Sequence, residues 1–294
     1  MSSADAPAQT DPSPGIAKPL LSVRDLRCYF PIRSGLLQRT VGHVKAVDGV
    51  SFDIAPGQCL GLVGESGCGK TTVGRTILKL IPPTGGQVTF AGVDVGSARG
   101  RVMVSLRKQM QIIFQDPAGS LNPRMRIAGI VGEPLSVHGL AKDRDDLRHQ
   151  VEAALQRCGM PKSAADRYPH EFSGGQRQRI GIARALALKP RFIVCDEPTS
   201  ALDVSIQAQI LNLLADLQRE MGLSYLFISH DMAVIQHMCA EIAVMYRGQI
   251  VEHGPRERII NDPQHDYTRS LLSAVPEPDP RRLRRRIVFT GGAM

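Results

Sequence analysis

The chain reads as an α/β fold built on a parallel sheet, and three observations carry that reading. Three apolar runs suit strands buried on both faces: "QCLGLVGE" (Gln58 to Glu65), "RFIVCDEP" and "LSYLFISHD". Each ends in glycine, acidic or polar residues, and helix-like segments such as "VSIQAQILNLLADLQREM" lie between them. The first run leads directly into a glycine-rich loop and then a helical pattern. Strands alternating with helices stack into a parallel sheet.

Taken in order, "MSSADAPAQTDPSPG" is small, polar and Pro-rich, with no basic start and no apolar stretch. It reads as a disordered leader, residues 1–19, and not as a signal peptide. "LLSVRDLRCYF" (Leu20 to Phe30) and "VSFDI" (Val50 to Ile54) are strand-like; in the second, apolar and polar residues alternate, as on a strand with one wet face. The polar, glycine-containing segment between them predicts a loop. A helix is expected from Lys70 to about Ile81, stopped by Pro82 and Pro83. A short strand is expected at Met110 to Phe114. The next residues, about 115–180, carry no strong strand signal and predict a helical lobe. Within it Leu147, Val151, Leu155 and Cys158 recur at helical spacing. "IAVMYRGQIVEHG" predicts a hairpin turning at Arg247-Gly248.

Composition narrows the class. Hydrophobic residues make up 43% of the 294, and no apolar run reaches the roughly 20 residues that span a bilayer. The net charge of +8 owes part to "RRLRRR" (Arg281 to Arg286) in a basic tail, residues 276–294. A solvated tail is the preferred reading over contact with lipid or nucleic acid, because no aromatics interleave with the charge. None of the six cysteines forms a C-x-x-C pair, which argues against a zinc or cluster site; Cys59 and Cys195 read as small core residues.

"GESGCGKTT" fits G-x-x-x-x-G-K-[ST], with strand before and helix after. Gly64, Ser66 and Gly67, then Cys68 and Gly69, let the backbone curl so that N–H groups point at phosphate oxygens. Lys70 can reach the β and γ phosphates, Thr71 can hold Mg²⁺ and Thr72 can meet the α phosphate; the helix start adds partial positive charge. Asp196 and Glu197 end a strand where ligands of parallel sheets bind. Asp196 suits Mg²⁺, and Glu197 suits polarising a water. His230 in "SHD" ends the next strand and would face the γ phosphate or the water. Gln115, after "QIIF", can coordinate Mg²⁺ or the water; without further context a surface turn before "DP" is the preferred reading. A second glycine-rich anion loop stands in "HEFSGGQRQRIGIARAL", His170 to Leu186.

These motifs stand in one order: "GESGCGKTT", "FQDP", "FSGGQRQR", "FIVCDEPTSALD" and "SHD". In this the chain closely resembles the nucleotide-binding subunit of ABC transporters, over roughly residues 20–275. The resemblance implies a P-loop NTPase (RecA-like) parallel-sheet core, an antiparallel β subdomain and a helical signature subdomain. It implies that ATP and Mg²⁺ are bound and ATP hydrolysed. "LLQRTVGHVKAVDGVSF", "DPAGSLNPRM", "TSALDVSIQAQILNLL" and "HDYTRSLLSAVPEPDP" look like the oligopeptide/dipeptide importer branch, which also serves nickel and glutathione.

Carried over residue by residue, the resemblance makes Phe30 the aromatic against adenine, with Tyr29 the second choice. It makes Gln115 the sensor between core and lobe, and Thr71, Gln115 and Asp196 the metal set. Ser173, Gly174, Gly175 and Gln176 become the signature, presented to the nucleotide of the opposite subunit. Asp203 falls in a dimer-spanning loop, and His230 is the switch histidine. The implied partners are a second ATPase subunit, identical or not, two membrane permeases and, indirectly, a solute-binding protein, with no nucleic acid. The implied place is the cytoplasmic face of the membrane. Phe172 replaces a more usual leucine before the signature. Relatives often end in a Cys-rich stretch that can hold an iron–sulfur cluster; "RRRIVFTGGAM" lacks it, so none is expected. The rivals are a soluble ATPase of the same superfamily and a regulator that does not hydrolyse, the latter disfavoured by Glu197 and His230.

Overall fold

The computed structural model describes residues 18–35, 39–274 and 289; almost all of the expected leader and of the expected basic tail lies outside them. The described chain runs β1 (Leu21–Ser34), β2 (Arg39–Ile54), β3 (Cys59–Val63), α1 (Lys70–Ile77), β4 (Gly85–Phe90), β5 (Val93–Asp94), α2 (Gly100–Gln109) and β6 (Met110–Ile113). Then come α3 (Ile127–Val137), α4 (Arg144–Arg157), α5 (Gly174–Leu186), β7 (Phe192–Asp196), α6 (Val204–Met221), β8 (Ser224–Ser229) and α7 (Met232–Met238). The hairpin β9 (Glu241–Tyr246) and β10 (Gln249–Pro255) precedes α8 (Arg256–Asn261) and α9 (Asp266–Ser273).

The strands form two sheets. One has the order β10-β9-β3-β8-β7-β6, parallel from β9 to β6 and antiparallel only at β10. The other is antiparallel, β2-β1-β4-β5. The parallel strands bury every residue of β3, β7 and β8 because both faces are covered. Their side chains divide with the two-residue period of a strand. Ile193, Cys195, Tyr225 and Phe227 join the core beneath the helices α3 to α7. Phe192, Val194, Leu226 and Ile228 join the core shared with α1, α2 and the antiparallel sheet. Each such side chain contributes about 1.5–3 kcal/mol by leaving water, so the sheet is held from both sides.

Two expectations need correcting. The described residues between Phe30 and Lys45 are mostly strand and not loop: β1 and β2 stay paired out to Ser34 and Arg39. An antiparallel ribbon satisfies its own backbone groups and needs no buried face, so its polar sequence carried no strand signal. Helix α1 ends at Ile77 and not at Ile81. Lys79 takes a left-handed φ of 54°, and the Leu80 N–H returns to the Arg75 carbonyl at 2.9 Å, which closes the helix before the prolines.

Side-chain caps fix the starts of some of the later helices. Ser173 and Gln176 form a reciprocal box at the start of α5, side chain to backbone in each direction. Asp143 caps α4 and Asp231 caps α7. Between residues 114 and 191 the chain has helices and short helical turns and no strand, and α5 runs to Leu186.

The β9–β10 turn falls at Arg247 (φ 44°) and Gly248 (φ 86°), a left-handed pair that matches strand twist. It is pinned from two directions. The Gly248 N–H donates to the Cys68 carbonyl at 3.0 Å, and the Asp48 N–H donates to the Gly248 carbonyl at 2.8 Å. One turn thereby links the loop after β3 to β2 of the antiparallel sheet.

Candidate functional site

Strand register places the site. Ile113 of β6 lies level with Cys195 of β7, Asp196 with Ile228 of β8, and Val63 of β3 with Ser229. The residues that follow these strands, Gln115, Glu197, His230 and the loop from Gly64, therefore emerge along one carboxyl edge of the sheet. At that edge lies a cleft of about 210 Å³. Ser66, Gly67, Gly69, Lys70, Thr71 and Thr72 form one side of it, and Ala46, Gln115 and Glu197 close it.

The loop is held by its own lysine. Lys70 is buried and donates to the carbonyls of Gly64 at 2.7 Å and Glu65 at 2.8 Å. Gly69 adopts φ 110°, and a Cβ there would stand 2.0 Å from the Ala46 carbonyl oxygen. No other residue type fits that close approach to β2. Cys68 is buried beside Lys70, with its Sγ 3.8 Å from the ammonium; burial pushes its thiol above the usual range, so it is a packing residue and not a thiolate.

Across from the loop, Thr71 donates its hydroxyl to Asp196 Oδ1 at 2.7 Å. Asp196 is 2% exposed, and the Arg75 guanidinium lies 4.0 Å from its Oδ2. Burial raises its carboxyl above the usual range, and the Thr71 hydrogen bond and Arg75 only partly oppose that. A buried carboxylate short of positive charge, beside a hydroxyl at a phosphate loop, is a hard oxygen donor set of the kind Mg²⁺ prefers.

Glu197 follows with φ 47°, an unusual left-handed conformation for a residue other than glycine, held by its N–H to the Ile228 carbonyl at 3.0 Å. Gln115 donates to its Oε2 at 2.9 Å, and His230 Nδ1 lies 3.1 Å from the same oxygen. The Gln115 amide nitrogen thus turns toward Glu197, while Thr71 and Asp196 are the two expected metal residues that meet directly.

Phe30 is 40% exposed on β1, opposite Val44, which lies two residues before Ala46 of the cleft. Tyr29 is occupied instead, donating its hydroxyl to Asp48. The second glycine loop does not line the cleft. Ser173, Gly174 and Gln176 are exposed at the start of α5, and Asp203 is exposed at the start of α6. Sequence reasoning missed Ala46, which carries no chemical signal, and Arg75, one helical turn after Thr71. It also missed Tyr267, whose hydroxyl accepts the Glu65 N–H at 2.9 Å.

Comparison with known proteins agrees with this geometry. The ABC transporter family profile matches residues 47–200, and the profile of the oligopeptide/dipeptide transporter C-terminal region matches residues 251–290. The chain is 52% identical to the oligopeptide transport ATP-binding protein AppF of Bacillus subtilis, over 92% of this chain and 83% of that protein. It is 52% identical to the glutathione import ATP-binding protein GsiA of Pectobacterium atrosepticum over 95% of its length, but spans only 45% of that relative. Among solved structures, the dimeric cassette MJ0796 bound to ADP and Pi superposes with a TM-score of 0.70 at 26% identity, covering 80% of this chain and 98% of that one. CbiO1 of Clostridium perfringens, part of an ABC transporter complex, gives 0.69 at 25% identity, covering 83% and 91%. With a phosphate loop, an acidic strand edge and a signature helix in the same chain, this protein belongs to the ABC transporter family, as an ATP-binding cassette.

Proposed function

We propose that the chain is the ATP-hydrolysing subunit of an ABC importer that takes up short peptides. The observation that carries this reading is the match of residues 251–290 to the oligopeptide/dipeptide transporter C-terminal region, outside the shared nucleotide core. Glutathione, itself a tripeptide, is the second cargo, favoured by the GsiA relative that matches 95% of the chain; nickel uptake and a soluble ATPase have no comparable support.

In this reading Lys70 and the loop amides grip the phosphates, and Phe30 stacks on adenine. Thr71 and Asp196, with Gln115 as a third candidate, would hold Mg²⁺, which neutralises charge on the transferred phosphoryl group. Glu197 accepts a proton from the attacking water, and His230 orients the γ phosphate. Phosphoryl transfer needs positioning and charge neutralisation more than covalent chemistry, and these groups supply it on one side only. The exposed Ser173–Gln176 loop at a helix N-terminus suits the nucleotide of a second cassette. ATP would then join two subunits and hydrolysis would part them, beneath two permeases at the cytoplasmic face of the membrane, with a solute-binding protein delivering cargo. No described helix is long and apolar enough to cross a membrane, which suits a peripheral subunit.

The test is transport. Deleting this gene should abolish uptake of labelled oligopeptides, and wild-type but not Lys70→Ala protein should restore it. Unchanged peptide uptake with lost glutathione uptake would transfer the assignment to the second cargo; loss of neither would overturn the import reading.

A further inference from the structure

The first peptide unit of the phosphate loop, Gly64–Glu65, is held from two sides. Its carbonyl, on Gly64, accepts from Lys70 at 2.7 Å. Its N–H, on Glu65, donates to the Tyr267 hydroxyl at 2.9 Å. A peptide unit is planar, with these two groups pointing in opposite directions. The two hydrogen bonds therefore oppose one another across one rigid plate, and the plate cannot rotate without breaking one of them.

Tyr267 comes from α9, about two hundred residues beyond the loop, and little in its surroundings can move. It is 1% exposed. Its ring lies 4.4 Å from that of Tyr246, at the end of β9, and 5.6 Å from that of Phe289. The start of α9 is capped by His265 Nδ1, which accepts the Tyr267 N–H at 3.1 Å. The segment leading into α9 is fixed in turn by buried Glu252 of β10, whose carboxylate accepts the N–H groups of Gln264 at 2.9 Å and His265 at 3.1 Å. Burial pushes the Tyr267 phenol up to about 12, so it remains a neutral hydroxyl at physiological pH.

We propose that Tyr267 is a positioning residue for ATP: its hydroxyl fixes the Gly64–Glu65 peptide, and through it the carbonyl that parks Lys70. The proposal rests on the assignment of Gly64–Thr72 as the nucleotide loop. It gives the carboxy-terminal region, which lies beyond the shared nucleotide core, a direct hold on phosphate binding. Without the hydroxyl the Glu65 N–H loses its partner, the plate is held from the Lys70 side alone, and the nucleotide must supply part of the loop's ordering.

The test is Tyr267→Phe in the full chain, which removes one oxygen and keeps the ring in its aromatic cluster. Calorimetric titration with Mg·ADP should show a Kd about 3–10-fold weaker, as loss of one hydrogen bond gives. The KM for ATP should rise by the same factor with kcat within about two-fold, and the thermal midpoint should barely move. Amide hydrogen exchange at Glu65 should speed up while the β3 amides Leu60 to Val63 do not. A Tyr267→Phe chain that binds Mg·ADP as tightly as wild type overturns the role. Should the variant fail to fold, the wild-type chain decides: a Glu65 amide that exchanges at the free-peptide rate overturns the proposal, and one protected like β3 supports it. Wild-type chain that does not bind Mg·ADP at all would instead sink the nucleotide assignment, and this role with it.

Discussion

Gln115 and Glu197, 82 positions apart, are joined by a hydrogen bond of 2.9 Å, and it ends on the same carboxylate oxygen that His230 approaches to 3.1 Å. The acid is thus oriented by a residue from each neighbouring strand end. Replacing Glu197 with Gln keeps the shape and removes the base. ATP hydrolysis should fall about 10²–10⁴-fold with nucleotide binding retained, and light scattering should show an ATP-bound dimer. A monomer that turns over ATP at the wild-type rate would remove Glu197 from the mechanism.

Asp196 gives a pH prediction. Its folded carboxyl is raised above the unfolded value, chiefly by burial. A raised acid favours the fold while protonated; that contribution is complete below the unfolded value near 3.9 and is lost as pH rises through the folded value. At pH 7 the stability that the protonated acid supplies is smaller than at acid pH, because burial opposes the charged form. Asp196→Asn should raise Tm at pH 7 by about 2–4 °C for each kcal/mol relieved, and the gain should shrink toward pH 4. The same variant should lose Mg²⁺-dependent hydrolysis. A Tm gain that is equal at both pH values would contradict the burial argument.

Ser173→Arg should leave Mg·ADP affinity unchanged, because the signature stands outside the cleft. It should nevertheless abolish hydrolysis at the opposing nucleotide. Mixing Ser173→Arg with Lys70→Ala chains is the sharper measurement. If two copies of this chain pair, mixed dimers recover one intact site and activity reappears; no recovery would mean that its partner is a different cassette.

Two loop glycines separate steric from backbone effects. Gly67 (φ 82°) has nothing within 4 Å of a built Cβ, whereas at Gly69 (φ 110°) the Ala46 carbonyl lies 2.0 Å away. Gly67→Ala should cost only the left-handed penalty, about 1–2 kcal/mol. Gly69→Ala adds a clash with backbone and should cost roughly 2–5 kcal/mol, with the larger fall in Tm by calorimetry. Equal losses would mean that the contact with β2 is relieved by movement.

The sheet core was legible because burial on both faces writes itself as unbroken apolar runs, and each run ended where the chemistry begins, at Gly64, at Asp196 and Glu197, and at His230. The helix Val204–Met221 carried the same clarity, with its apolar stripe and closing glycine. The β1–β2 ribbon was not legible, since a ladder that satisfies its own backbone leaves no hydrophobic period. The end of α1 was missed because a left-handed lysine, at a position type that usually takes glycine, stops the helix before the two prolines. Among site residues, those of the glycine-rich loop announce themselves by type and spacing. Tyr267 does not: an aromatic in an amphipathic helix looks like core, and only the crossing of α9 behind the loop aims its hydroxyl at Glu65.

The Arg247–Gly248 turn has a practical corollary for anyone labelling this protein. Surface turns between strands are the usual choice for a fluorophore, an epitope or an inserted domain, since lengthening them is tolerated. This one is an exception, because both backbone groups of Gly248 are committed, one to Cys68 in the phosphate loop and one to Asp48 in β2. An insertion there would cut the two sheets apart at the nucleotide. The exposed end of the β1–β2 ribbon, which packs against neither core, is the safer place for a tag.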